Sequence, residues 1–485
     1  MSFDAGQFVT SSYRFRWVFC QLDALQHCFP PNLRQYLNEL PETLDETYER
    51  ILKGINKAQK DNAHHLLQYL TVAVRPLLVE ELAELLAFDF AASSGGIPTL
   101  KEDWRWDDEE EAVLSTCSSL ITIIPRDDSR VVQFSHFSVK EFLTSSRLAR
   151  SPDGEISRFR IDLEPAHTLI ARACLATLLR LDEHAEKSDA NGSPLVKYAA
   201  RHWVNHAQFE EVSSRIREGM DDLFDGSKPH FAAWLQVHNI DEGWPTFSPN
   251  SRAGVGSPLY YAAFCGFYDL VERLIMKHPE QVNTRGGRNL SPLPAALYKR
   301  HFPVMNLLYR HGAVVDVRGE FNRTPLYVAS WSQRVDIMRW LLDHGADVNA
   351  RTGVCYTPLS AAVTTNNLEI VQVLLEHNAV VNSQSGGGET PLYWALTGDE
   401  SKAVLVIQRL LEHGADPNIC DDDHRSPLHN ASFHGWLEAA RLLLSYGAKV
   451  DAKDGGGRTP LQMAASEGHE ELTKLLLEHG AVAQP

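Results

Sequence analysis

The apolar positions in the second half of the chain recur with a long period. The tripeptide Ser/Thr-Pro-Leu begins at Ser257, Ser291, Thr324, Thr357, Thr390, Ser426 and Thr459, at separations of 34, 33, 33, 33, 36 and 33 residues. A period of this length marks a solenoid, in which each supersecondary unit buries its faces only against its neighbours. Inside each period the apolar spacing is helical. Thr324 is placed to cap a helix, Pro325 takes the first helical position, where it has no donor to lose, and Leu326 starts the apolar face. Val335, Ile337, Met338, Leu341 and Leu342 predict a second helix, which Gly345 ends in the left-handed conformation. Asn378 stands in that glycine's place one repeat later and tolerates the same geometry. The extra residues of the 36-residue interval fall around Gly398-Asp399-Glu400-Ser401, where a loop between the two helices is expected to absorb them.

The first half reads as helices and two short strands. Thr43 is positioned as a helix cap, with Glu46 three residues on to close a capping box, and the helix is expected to run to about Asn56. Further helices are expected at 62–74 and 78–86, strands at 120–124 and 131–135, and a last helix opened by Ser138 with Glu141 as its box partner. Helix, helix, helix, two strands, helix is the order of a winged helix.

Residues 254–485 resemble the ankyrin repeat. Leu341-Leu342-Asp343-His344-Gly345-Ala346-Asp347-Val348-Asn349 is the fullest copy of its second-helix ending, echoed at Leu410 to Asn418 and Leu476 to Ala481. In that family a histidine after Thr-Pro-Leu ties neighbouring repeats by hydrogen bonds. Here the position holds Tyr260, Pro294, Tyr327, Ser360, Tyr393, His429 and Gln462. The units are therefore expected to stack by apolar contact more than by that network, and the second repeat, with Pro294 inside its first helix, is expected to be the weakest.

The first half is similar to a second family. Phe15-Arg16-Trp17-Val18, Leu40-Pro41-Glu42-Thr43-Leu44-Asp45-Glu46-Thr47-Tyr48, Arg75-Pro76-Leu77 and His136-Phe137-Ser138-Val139-Lys140-Glu141-Phe142-Leu143 resemble the segment that follows the nucleoside-triphosphatase core in fungal NACHT-type STAND proteins. Tyr198-Ala199-Ala200-Arg201-His202-Trp203 and Phe231-Ala232-Ala233-Trp234-Leu235 resemble its helical segment. The resemblance implies a mostly α chain: a remnant lid-type helical segment at 1–39, a winged-helix domain at 40–150, a helical linker domain at 151–253 and seven ankyrin repeats at 254–485. It covers the C-terminal part of such a protein without the triphosphatase core.

Charge and chemistry narrow the function. The 485 residues carry a net charge of −17, with 25 basic and 38 acidic residues before Ser251 and 21 and 25 from there on. An acidic surface repels phosphate backbones and anionic membranes. The seven cysteines are scattered, with no C-x-x-C pair, which fits a reducing compartment and neither a disulfide framework nor a zinc knuckle. No apolar signal or spanning segment is visible, so a cytoplasmic location is expected, with the nucleus left open.

No Gly-x-x-x-x-Gly-Lys-Ser/Thr loop exists to cradle phosphates; the glycines at 254–256 and 455–457 fall where repeat hairpins need turns. His469-Glu470 lacks a second histidine four residues on, and no nucleophile elbow occurs. The expectation is a non-enzyme with no cofactor, metal or small-molecule substrate. The candidate recognition helix of the winged helix, 79–88, presents Glu80, Glu81 and Glu84 where groove binders present Arg or Lys, so no nucleic-acid partner is expected. The run Asp107 to Glu111, after Trp104 and Trp106, reads as a solvated loop, with binding of a basic partner as the other reading.

The repeats carry the functional signal. Ankyrin proteins hold partners along the first-helix faces and hairpin tips, and the corresponding positions hold Tyr261, Phe264, Tyr298, Trp331, Trp394 and Phe433. Exposed aromatics mark interfaces. Hairpin tips add Arg285, Arg288, Arg318, Arg323, Arg351, Asp421 to Asp423, Lys453 and Arg458. The expected function is a protein-interaction scaffold in signalling that binds an unidentified protein partner through this groove. The alternatives are a truncated or split subunit of a STAND signalling NTPase and a winged-helix nucleic-acid binder.

Overall fold

The computed structural model describes residues 43–482 apart from 92–95, 107, 127–128, 182–192, 241–255, 287–290 and 355. The expected lid-type segment at 1–39 lies outside the described residues. The chain forms two compact units, one of residues 1–251 with 265–274, the other of 252–264 with 275–485.

The first unit opens with α1 (Leu44–Gly54), where Thr43 and Glu46 close the expected capping box. There follow α2 (Lys60–Val72), β1 (Leu77–Leu78), α3 (Val79–Leu86), β2 (Phe88–Asp89), β3 (Thr99–Leu100), α4 (Glu109–Cys117), β4 (Ile121–Arg126), β5 (Ser129–Phe134) and α5 (Phe137–Thr144). The antiparallel sheet has the order β1-β5-β4, with Val132 opposite both Leu77 and Ile123. Leu66, Leu67, Leu82, Leu85, Val113, Val139 and Leu143 fill the space between sheet and helices. This is a winged helix, with elements that the pattern did not announce: the short strands β1, β2 and β3, and α4. β1 is too short for a period-2 signal. α4 lies inside the acidic run: Asp108 accepts the N–H groups of Glu110 and Glu111, and the three glutamates occupy the first turn, where the helix dipole favours negative charge.

Two expectations for this domain are corrected. His136 caps α5 by accepting the Ser138 N–H at 3.2 Å, which leaves the Ser138 hydroxyl to bond the Tyr48 hydroxyl at 2.8 Å. The acids of α3 do not form an exposed reading face. Glu81 is buried and holds Arg75 in a two-pronged bridge at 2.8 and 2.5 Å, while also accepting the Leu78 N–H. Glu84, equally buried, accepts from Arg105 at 2.7 Å, the Ser193 hydroxyl at 2.8 Å and the Leu195 N–H at 2.9 Å. A buried carboxylate is tolerated only when its lone pairs are met in this way. The helix that precedes the hairpin, in the recognition position of a helix-turn-helix pair, is α4.

The same unit continues with α6 (Ser146–Ala149), α7 (Gly154–Ser157), α8 (Leu163–Leu178), α9 (Val196–Ala207), α10 (Val212–Arg215), α11 (Arg217–Leu223) and α12 (Pro229–Val237). Trp203 lies edge-on to Trp234 at 5.4 Å and stacks on Phe267 at 5.5 Å. Phe267 belongs to the first repeat by sequence, yet 265–274 packs with this unit: Gln208 donates to the Cys265 carbonyl at 2.6 Å, and Arg273 pairs with Asp221.

The repeats supply the helix pairs α13 (Pro258–Cys265) and α14 (Tyr268–Lys277), α15 (Pro292–Lys299) and α16 (Phe302–Arg310), α17 (Pro325–Trp331) and α18 (Val335–Asp343), and α19 (Pro358–Thr364) and α20 (Leu368–Glu376). The series ends with α21 (Pro391–Ala395) and α22 (Glu400–Glu412), α23 (Pro427–His434) and α24 (Leu437–Ser445), and α25 (Pro460–Ser466) and α26 (Glu470–Glu478). Thr324, Thr357, Thr390 and Thr459 each accept the backbone N–H three residues on, as the capping rule requires. Gly345 and Asn378 both take the left-handed conformation, at φ 83° and 63°.

Pro294 does not break its helix. It occupies the first turn of α15, whose N–H groups have no intrahelical acceptor in any case. Its cost falls elsewhere: with no N–H at that position, the buried Ser291 hydroxyl has no hydrogen-bond partner among the described residues. The 36-residue interval is absorbed not by a loop but by α22, which starts at Glu400 and is longer than the other second helices. Asp399 caps it, and Glu400 accepts the N–H groups of Glu438 and Ala439 at the start of the next second helix.

Hydrogen bonds between repeats are also more regular than expected. Asn283, Asn349, Asn382 and Asn418 each donate to a carbonyl and accept an N–H in the following repeat. Asp316 and Asp451 occupy the same register and accept an N–H only. His429 adds the bond its family position implies, to the Arg458 carbonyl at 3.1 Å. Ser360 and Gln462, in that same position, turn back to their own caps, at 2.8 Å from the Thr357 N–H and 3.0 Å from the Thr459 N–H.

Candidate protein-interaction surface

The first helices α17, α19 and α21 pack on one another in series, as do α23 and α25. On the first of these helices the residues one turn after the Leu, Ala329 and Ser330, share its buried face, while those two and five after it, Val328 and Trp331, are about half exposed. The hairpins between repeats join edge to edge through the backbone. Gly353 donates to the Phe321 carbonyl at 2.9 Å, Gly386 to Val354 at 3.2 Å, Asp422 to Gly387 at 3.0 Å and Gly455 to Asp423 at 2.8 Å. Close approach explains the glycine at 388, with φ 80°: a Cβ there would lie 2.8 Å from Asp422 Oδ1 and 2.9 Å from its backbone nitrogen.

The six aromatic candidates divide. Trp331 and Phe433 are about half exposed, at 48% and 49%. Tyr298 and Trp394 are half-buried. Tyr261 and Phe264, expected on the open face, are buried at 3% and 7%. Phe264 stacks on Tyr298 at 6.4 Å with Lys299 4.6 Å over the Phe264 ring, a cation-covered stack, while Tyr261 packs edge-on to Tyr260 at 4.9 Å. Arg334 lies over the outer side of Tyr298 and donates to its carbonyl.

The structure also exposes apolar residues that the repeat pattern did not single out. Val328 lies on the helix of Trp331, and Phe321 and Val354 lie on adjoining hairpin tips; all three are about half exposed or more. Arg323 lies over both Phe321 and Tyr327, at 5.1 and 5.6 Å. Trp394 packs edge-on to Tyr356 at 5.5 Å, and its indole N–H is buried without an acceptor. Phe321 and Val354 carry no helical or strand period, and only their place at a hairpin tip could have found them.

Several hairpin charges are engaged within the protein. Arg285 donates to the Arg318 carbonyl, and Arg318 to that of Arg351 at 2.7 Å, so these three run from tip to tip. Asp421 and Asp454 are buried, and each accepts both the backbone N–H and the side chain of the arginine four residues on. Those hydrogen bonds help to hold the Asp454 carboxyl below the usual range against its burial. Nearby, burial and then the Asp421 charge push the Tyr393 hydroxyl up to about 12. Arg288 lies outside the described residues. Among the described residues no group of three or more His, Cys, Asp or Glu could hold a metal ion, and no helix is long and apolar enough to cross a membrane.

Comparison with known proteins assigns both regions. Residues 259–352 and 400–484 match the model for ankyrin repeats in three copies, and 332–375 and 359–405 match that for ankyrin repeats in many copies. Residues 48–156 match the winged helix domain of GPI inositol-deacylase. The chain is an ankyrin-repeat protein with a winged-helix domain of this type N-terminal to the repeats, the region associated with NACHT proteins in fungi. It is similar to azaphilone pigments biosynthesis cluster protein L of Monascus ruber, 31% identical over 289 residues. That alignment covers 56% of this chain and 59% of the relative, so the chain spans well under two thirds of its length. Ankyrin repeats are interaction modules, and they give the chain a protein-binding role.

Proposed function

We propose that the chain is a non-catalytic scaffold of the STAND signalling type, acting in the cytoplasm, whose repeats hold a protein partner on the first-helix face. In this reading 40–150 is the winged helix, 151–253 the helical segment and 254–485 the array of seven repeats. The partner contacts Trp331, Trp394 and Phe433 and the open edge of Tyr298. What carries the reading is the surface around Trp331. A repeat needs Leu326, Ile337 and Leu341 inside, and all are buried, yet Trp331 and Val328, three residues apart on the first helix, stay about half exposed. Clustered exposed aromatics are where binding energy concentrates. The free thiols of Cys117, Cys174, Cys265 and Cys420 accord with a reducing compartment.

The test is a paired measurement on Trp331→Ala combined with Trp394→Ala. Partner recovery should fall by at least the ~2 kcal/mol of a true anchor while the melting midpoint holds. Lost stability with binding retained in the folded fraction would refute the groove and leave these residues as core.

A further inference from the structure

A second surface lies on the winged helix. Trp104 and Trp106 are each nearly half exposed, on the connection between β3 and α4. They are presented by a fixed backbone. Residues Glu102–Trp104 form a 3-10 turn, and Arg105, between the two indoles, turns inward to Glu84 at 2.7 Å and Glu102 at 2.9 Å. Arg180 holds Glu102 from the other side at 2.8 Å. The ion pairs of Arg105 tie the backbone between the indoles to Glu84 and Glu102 while both indoles stay nearly half exposed, which a domain has no folding reason to do with tryptophan.

The ground around the indoles is acidic, and its cations are committed. Lys101 pairs with Asp89, Arg105 with Glu84 and Glu102, and Arg130 with Glu110. Asp103 and Glu111 are exposed and, among the described residues, without ion pairs. Glu80 stands one turn before Glu84 on α3, and its Oε2 is buried with no hydrogen-bond partner. Burial and then the Glu80 charge push the Glu109 carboxyl above the usual range, and Arg105 is close enough to oppose that shift.

We propose that the Trp104–Trp106 ledge with Asp103, Glu109 and Glu111 is a docking site for a Lys/Arg-bearing segment of a partner protein. The geometry selects that chemistry because a cationic side chain gains from an indole face and from carboxylates at once. An acidic or purely apolar segment would leave Asp103, Glu109 and Glu111 without counter-charge. The site shares no residue with the repeat surface, so its failure leaves the proposed function untouched.

The test uses the full chain and two short labelled peptides, one of alternating Arg/Lys with Gly/Ser and one with Glu in place of each Arg/Lys, followed by fluorescence anisotropy. The basic peptide should bind and the acidic one should not. Trp104→Ala with Trp106→Ala, which leaves the charge unchanged, should weaken binding by about tenfold, and Glu109→Gln with Glu111→Gln by several-fold. Trp104→Phe with Trp106→Phe should retain most of it. Equal affinity in the alanine pair would overturn the proposal, since it leaves only diffuse attraction to an acidic protein. So would binding of both peptides alike. An alanine pair that unfolds while the phenylalanine pair binds no better than background assigns the indoles to the fold. Self-association that the alanine pair abolishes assigns the ledge to a second copy, against the proposal.

Discussion

Asn349 accepts the N–H of Val380 in the next repeat at 2.7 Å and donates to the Asn378 carbonyl at 3.4 Å, so one amide side chain closes two bonds across a repeat junction. The positions 283, 316, 349, 382, 418 and 451 keep this register, at separations of 33, 33, 33, 36 and 33 residues. An amide side chain can donate and accept at once, which a carboxylate cannot. Where aspartate replaces it at 316, Oδ2 still accepts the Asp347 N–H, but Oδ1 is buried with no partner. By register it faces the Gly345 carbonyl, acceptor to acceptor.

Asp316→Asn should therefore stabilise the array by about 1 kcal/mol, the usual value of one restored buried hydrogen bond. Asn349→Ala should cost about as much or more. The urea midpoints of the two variants read this directly. An unchanged or lower midpoint for Asp316→Asn sinks the junction argument.

The capping residues make a second contrast. Thr357 accepts the Ser360 N–H, and Ser360 in turn accepts the Thr357 N–H, so Thr357→Ala should cost about 1 kcal/mol. Ser291 holds the same position in its repeat but faces Pro294, which has no N–H. Ser291→Ala should be neutral or slightly stabilising, because it removes a buried hydroxyl that bonds nothing among the described residues. Comparable losses in both variants would show that Ser291 has a partner after all.

The repeat period, the capped first helices and the left-handed turns at Gly345 and Asn378 were legible because each follows from local chemistry at fixed spacing. The junction bonds were visible only as an Asn or Asp recurring at the repeat period; the N–H that Asn349 accepts lies 31 residues away, at Val380. α4 hid in a run of acids because charge was weighed as solvation and not as helix-dipole complement. Glu81 and Glu84 read as surface for a like reason: their partners Arg75, Arg105 and Ser193 come from elsewhere in the chain. At the candidate site, Trp331 and Phe433 were found by register alone. Tyr261 and Phe264 share that register, but Tyr298 and Lys299 cover Phe264.

The placement of 265–274 with the first unit has a consequence for Phe267. It stacks on Trp203 at the centre of a cluster with Phe224 and Trp234. Phe267→Ala should cost about 3–5 kcal/mol, as deletion of a large core aromatic does. Hydrogen exchange should show the loss along α9 and α12, while the repeats from α17 onward keep their protection. Faster exchange confined to α15 and α16 would assign Phe267 to the array.

Acid should weaken the first unit before its carboxylates titrate. His206 is fully buried between the Tyr198 hydroxyl and His167 Nδ1, each at 2.9 Å. Burial above all, then the charges of His167 and His202, lowers its pKa to about 3. His202 is pushed down to about 4, mainly by burial and then by Arg75. A histidine held neutral in the fold contributes its full stability above the unfolded value near 6.5. It loses that contribution as pH falls below 6.5 toward the folded value, because the unfolded chain binds the proton and the folded chain does not. Each such histidine lowers stability by up to about 1.4 kcal/mol per pH unit in that window. Between pH 7 and 5.5 the unfolding free energy of the first unit should drop, and His206→Gln should flatten the profile by about 1 kcal/mol over that interval. Parallel profiles for the two proteins would show that His206 takes up its proton without opening the Tyr198–His206–His167 chain.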